Sequence, residues 1–146
     1  MDPFTQPFAF DENLDRANRI FQKLMRFAPD LLSIQKQAKF RVEGYLFPLE
    51  LDILDTGEGY RRISLIHCWF NDAGDQVPDP DIVISIYTDW ELAEARIYKD
   101  IYSFEEAYPI QGGPADLKVH HTINNFLERW LDSLLQDEHV RRVSTT

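Results

Sequence analysis

One cysteine in 146 residues removes several chemistries at once. A lone Cys68 forms no intramolecular disulfide and no CxxC metal or redox motif. Basic residues are scarce too, 15 against 25 acidic ones, for a formal net charge of −10. A nucleic-acid binder needs a concentrated basic face. The densest basic spots here are the pairs Arg61, Arg62 and Arg141, Arg142, so no nucleic-acid partner is expected. No run approaches the ~18 apolar residues of a membrane helix, so no membrane partner is expected. The stretch MDPFTQPFAFDENLD lacks a basic region followed by an apolar run, so no signal peptide is expected and the expected location is cytoplasmic. The six glycines form neither a P-loop nor a GxGxxG motif. Gly112 and Gly113 do precede a helix, but Asp116 already occupies its positive end.

What is present supports a core. The chain is 44% hydrophobic and 13% aromatic. Its length suits one domain, which can bury roughly two thirds of its unfolded surface without staples. Residues 81–99 carry the clearest pattern: Ile82, Ile84 and Ile86 alternate with Val83, Ser85 and Tyr87. A loop centred on Asp89 and Trp90 then pairs Ile86 with Ala93, Ile84 with Ala95 and Ile82 with Ile97, all on one face. The helical propensity of ELAEAR keeps a helix over 91–99 as the rival reading.

Elsewhere Leu14, Ala17, Phe21, Leu24, Met25 and Ala28 follow helical spacing, with Arg16, Arg19, Lys23 and Arg26 mostly opposite and Pro29 as terminator. Alternation places strands around Phe40 and Val42, over 49–53 and over 60–70, the last apolar on both faces and therefore central. A loop at 57–59 pairs Ile53 with Ile63 and Leu51 with Leu65. A long loop is expected over 71–80, and a short strand around Tyr102 and Phe104. A last helix begins near Ala115, with the stripe Ile123, Phe126, Leu127, Trp130, Leu131, Leu134. The expected class is α+β: an N-terminal helix, an antiparallel meander of about five strands and a long C-terminal helix, both helices on one sheet face. Residues 1–12 are expected as an extended arm, 13–138 as the domain and 139–146 as a flexible tail.

No catalytic set emerges. His67, Cys68, His120, His121 and His139 do not show the convergent spacing of a zinc site, so no metal or other cofactor is expected. The four aspartates of 71–81 lack the ligand spacing of a calcium loop and read as a solvated acidic loop. The outer sheet face should present Arg41, Glu43, Glu50, Asp52, Arg62, Ser64, Cys68, Ser85, Tyr87, Glu94, Arg96 and Tyr98. Cross-strand ion pairs on a wet surface explain most of these. The residues that core packing leaves unexplained are Tyr87, Asp89, Glu94 and Arg96, and these are the candidate binding residues. The expected role is a non-enzymatic binding or adaptor protein using the outer face or a groove beside the 81–99 hairpin. The alternative is a small enzyme or sensor for a polar metabolite, with Asp89, Glu94 or the Glu50 and Asp52 pair as acid or base. The partner is then an unknown protein or a small polar ligand, and Trp90 or the Phe-rich arm leaves a homodimer open.

Tyr87, Asp89, Ala93 and Glu94 within 84–95, Tyr108 with Pro109, the segment INNFL at 123–127 with Trp130 and Leu131, and LMRFAPDL at 24–31 together resemble the YqiB-like family of uncharacterised proteobacterial proteins. Leu134 and Glu138 stand where that family usually has Cys and Gly, and Lys118 is displaced. The resemblance implies a shared fold and a cytoplasmic bacterial origin. It implies no activity and no catalytic residue.

Overall fold

The computed structural model describes residues 14–70, 72–109, 112–136 and 140–146. The element order is α1 (Leu14–Phe27), β1 (Gln37–Arg41), β2 (Leu49–Gly57), β3 (Tyr60–Phe70), β4 (Gln76–Tyr87), a 3-10 turn (Thr88–Trp90), β5 (Leu92–Lys99), β6 (Phe104–Glu106), α2 (Leu117–Gln136) and β7 (Arg141–Thr145). The strands form one antiparallel sheet of seven, ordered β6-β5-β4-β3-β2-β1-β7. This is the α+β class expected, with β3 in the middle. No helix among the described residues is long and apolar enough to cross a membrane.

Local sequence explains the boundaries. Pro29 disfavours helical backbone at Ala28, so α1 stops at Phe27. Asp116 caps α2, its carboxylate accepting the Val119 N–H at 3.1 Å. The core lies between the helices and one sheet face. Ile20 and Leu24 of α1, Leu127 and Leu131 of α2, and Leu51, Ile63, Leu65, Ile82, Ile84 and Ile86 of the sheet are all fully buried.

Several expectations change. The tail is not loose at 141–145: β7 pairs with β1, and Arg142 forms an ion pair with Asp30. Its polar residues are mostly exposed, so no alternation advertised it. The arm at 1–12 lies outside the described residues. The loop expected over 71–80 is shorter, because β4 begins at Gln76 and runs through Pro78 and Pro80. Over 76–80 β4 is paired with β3 alone, since its pairing with β5 starts at Asp81. A proline lacking an N–H is tolerated on such an edge. In β2 the turn is two residues, Glu58 and Gly59, and an extra residue at Leu54 restores the expected pairs Ile53 with Ile63 and Leu51 with Leu65.

The 81–99 hairpin is a strand pair, not a strand and helix. Ile86 faces Ala93 and Ile84 faces Ala95 as expected, around a loop of Thr88 to Glu91. A bulge then inserts Arg96, so Val83 faces Ile97 and Ile82 faces Tyr98. Tyr98, not Ile97, therefore turns to the core side, where it meets Phe126 edge-on at 5.2 Å.

The helices are joined by Glu128, which accepts hydrogen bonds from Arg19 Nε and Lys23 Nζ, both at 2.8 Å. Arg19 and then Lys23 hold its carboxyl down at about 2, against the opposing effect of burial. A folded-state pKa below the unfolded value of about 4.3 contributes stability above that value, which is lost as pH falls toward 2. Arg19 is half-exposed, so we expect a screened contribution of about 1–2 kcal/mol. Glu128→Gln should lower stability by that amount at pH 7, and the deficit against the parent should close between about pH 4.5 and 2. Urea unfolding across that range checks it, and a deficit unchanged at pH 2 would count against the assignment.

Candidate functional site

β5 sets up the site. Beyond Ala95 its outer edge is covered by β6, which pairs only with Ile97 to Lys99. Between Leu92 and Arg96 that edge faces α2, which supplies Asn124 in place of a strand. The Asn124 Oδ1 accepts the Ala95 N–H at 2.7 Å, and its Nδ2 donates to the Ala95 carbonyl at 3.0 Å and to the His120 carbonyl at 2.8 Å. One side chain thus satisfies both backbone groups of an edge residue, which would otherwise be buried unpaired.

Around that clamp lie three of the four candidate residues. Ser85 and Glu94 face each other on the sheet side opposite Ile84 and Ala95, and Tyr87 shares that side. The Glu94 carboxylate has a partner on each oxygen: Oε2 accepts from the Tyr87 hydroxyl at 3.0 Å, and Oε1 lies 2.9 Å from His120 Nε2. Arg96 Nη1 donates to the Tyr87 hydroxyl at 3.0 Å. The Arg96 guanidinium lies over the Tyr108 ring, 3.9 Å from its centroid. On the far side of His120, Arg16 Nη2 approaches Nδ1 at 3.5 Å, and Arg16 Nη1 lies 3.1 Å from His121 Nδ1. A guanidinium only donates, so Nδ1 of His120 accepts and its proton sits on Nε2, donating to Glu94.

Glu94, Arg96 and His120 are each 1% exposed. Burial, and then Glu94, raise the Tyr87 and Tyr108 hydroxyls far above the ordinary tyrosine range, so both stay protonated. Burial lowers the Arg16 guanidinium from its ordinary value, with Glu128 the largest opposing influence. The set is an internal polar lock joining α1, α2 and β5.

The expected open outer face is therefore corrected over β3 to β5. Ser64, Cys68, Ser85, Tyr87, Glu94 and Arg96 are buried there. A charge on a strand's non-core face is solvated only if nothing else reaches that face, and at β5 His120 of α2 and Tyr108 reach Glu94 and Arg96. At β1 and β2 the polar pattern is explained by cross-strand contacts: Lys39 pairs with Glu50, and Gln37 donates to Asp52. His67 stacks on Tyr45 at 3.9 Å, and burial lowers its pKa. Among the described residues no three His, Cys, Asp or Glu side chains converge as a metal site. His139 lies outside them.

Asp89, the fourth candidate, stands apart at the hairpin tip. It belongs to the 3-10 turn, which Glu91 closes in the left-handed region. There the β4–β5 tip leans on the β2–β3 turn, with the Thr88 N–H donating to the Gly59 carbonyl at 3.0 Å. Gly59 has φ +66, a left-handed backbone that favours glycine, and a Cβ on it would lie 2.5 Å from Asp89 Oδ2, so the Asp89 carboxylate would have to move. The two tips enclose a cleft of about 220 Å³ lined by Glu58, Gly59, Tyr60, Tyr87, Asp89 and Trp90. Tyr60 lies 6.0 Å from Tyr87 and Trp90 lies 6.2 Å from Tyr87, between ring centroids. Trp90 is 60% exposed. Tyr87 thus belongs to both places, its ring in the cleft and its hydroxyl in the lock.

Sequence reading missed Arg16, Tyr60, Tyr108, His120 and Asn124. Two signals pointed to Arg16, His120 and Asn124. Arg16 is four residues before Ile20 and eight before Leu24, on the buried row of α1. His120 and His121 precede Asn124 and Asn125 by four, so each His–Asn pair shares a helix face.

Fold and site define an α+β protein with a single antiparallel sheet, an internal polar lock and a small aromatic cleft. Residues 23–140 match the model of the family described as a protein of unknown function (DUF1249), and the chain belongs to that family. No curated protein and no solved structure matches the chain.

The two groups of candidates should separate on mutation. Glu94→Leu leaves the Tyr87 hydroxyl and His120 buried without their acceptor and Arg96 buried without its counter-charge, and should cost about 3–5 kcal/mol of stability. Asp89→Asn, at the exposed tip, should stay within about 0.5 kcal/mol. Denaturant midpoints at constant m-value report both. Equal losses would show that the lock and the tip are not distinct.

Proposed function

We propose that the protein is a non-enzymatic binding protein whose recognition site is the cleft at the two hairpin tips, and that it takes a cationic group of a partner protein, a lysine or arginine side chain. The observation that carries this reading is the company of the cleft: Tyr60, Tyr87 and Trp90 rings together with the Glu58 and Asp89 carboxylates. A cation set against aromatic faces gains about 0.5–2 kcal/mol from each ring's quadrupole, and a carboxylate fixes its position. The net charge of −10 draws basic partners toward the surface before contact. It also disfavours a homodimer through Trp90, which would set two such chains tip to tip. Against the metabolite-enzyme alternative, Glu94 is withdrawn as an acid or base, because both its oxygens are committed to internal bonds. The same reading takes the chain as a cytoplasmic bacterial protein of the YqiB-like group. The single buried Cys68 suits a reducing compartment.

Titration with a lysine-rich peptide, followed by amide and indole NMR shifts, tests it. We expect saturable shifts confined to 58–60 and 87–91, weakening with salt. Trp90→Ala and Asp89→Asn should each weaken binding about ten-fold, equivalent to ~1.4 kcal/mol. Shifts spread over the whole acidic surface, or an undiminished affinity in both variants, would overturn the proposal.

A further inference from the structure

A larger cavity, of about 510 Å³, lies away from the tips, between α2 and the turn that joins β5 to β6. Its size is that of a small-molecule pocket. Val119, Ile123 and Phe126 line it from one stripe of α2, and the Tyr98 ring adds to the apolar floor. The opposite wall is held in place by Asp100. That carboxylate accepts the Tyr98 hydroxyl, the Ser103 hydroxyl and the N–H groups of Tyr102 and Ser103. The hydroxyl hydrogens of Tyr98 and Ser103 are thereby committed to Asp100.

The rim has a distinctive charge. Lys118 and Arg129 border the cavity from α2, and Glu105 borders it from β6. Among the described residues neither Lys118 nor Arg129 has an ion pair. Both cations border this cavity, in a chain with 25 acidic residues against 15 basic. They stand eleven residues apart on α2, about 16 Å along its axis. Arg129 also borders a shallower depression lined by Asn125, Glu128 and Asp132, so two carboxylates share its surroundings. Lys118 is the cation left to meet a ligand's charge.

We propose that this cavity binds an apolar carboxylate of the medium-chain acyl kind. The chain lies against Ile123 and Phe126, and the carboxylate pairs with Lys118. Apolar burial supplies the affinity, and Lys118 selects the sign of the head group.

Calorimetric titration of the full chain with octanoate, octylammonium and octanol tests this. We expect saturable 1:1 binding of octanoate, with octylammonium and octanol at least about ten-fold weaker. Lys118→Glu, at an exposed position, should weaken octanoate at least about ten-fold. Thr122→Trp should fill the cavity and abolish binding, with methyl NMR shifts of Ile123 in the unmodified chain locating the ligand if that variant fails to fold. Octanoate binding no tighter than octylammonium or octanol would overturn the proposal. So would unchanged octanoate affinity in Lys118→Glu, or shifts that leave Ile123 unmoved.

Discussion

Asn124 closing the edge of β5 is the interaction on which the rest of the structure depends. A strand edge carries N–H and C=O groups that need partners. β6 is too short to supply them before Ile97. By binding both backbone groups of Ala95, Asn124 fixes the height and rotation of α2 against the sheet. One helical turn earlier, His120 is thereby held at the Glu94 carboxylate. Two turns in the other direction, Leu131 is held in the core. The bulge at Arg96 belongs to the same arrangement. It frees the Arg96 carbonyl to accept from the Ala107 N–H, which carries Tyr108 over the guanidinium.

Much of the fold was legible in the residues themselves, because apolar periodicity is what the core demands. The alternation of Ile82, Ile84 and Ile86 and the stripe of α2 each located an element. The failures share a cause. β7 is held by backbone pairing with little burial, so its side chains record nothing, and the prolines at 78 and 80 made the first part of β4 read as loop. The bulge at Arg96 is a property of backbone spacing, and strict alternation carried past it put Ile97 where Tyr98 stands. For the site, sequence singled out Tyr87, Glu94 and Arg96 as residues the core did not explain. It did so on the assumption that a charged residue on the second face meets water. Burial of an ion by an element more than twenty residues away in sequence is invisible to local pattern, and so the lock was read as a surface.

Charge has two separate uses in this molecule. Inside, the Glu94 carboxylate has a hydrogen-bond partner on each oxygen and Arg96 as a counter-charge at 3.9 Å, the kind of pairing a low-dielectric setting requires. Outside, the excess of carboxylates is unmatched and sets a long-range field. The aromatic cleft lies between these regimes, since the Tyr87 ring facing it is anchored through its hydroxyl to the interior.

The pairing of chain ends has a consequence for how the molecule is made. The hairpins β2–β3, β3–β4 and β4–β5 join neighbours in sequence and close small loops. The ties that complete the structure span far more chain: Arg19 to Glu128 is separated by 109 residues, and Asp30 to Arg142 by 112. Loop-closure entropy delays such contacts. A growing chain can therefore assemble its central meander while α1 waits with its apolar row uncovered, until α2 has left the ribosome and β7 has reached β1. During that interval α1 and the open side of β1 are the surfaces most in need of protection by a chaperone.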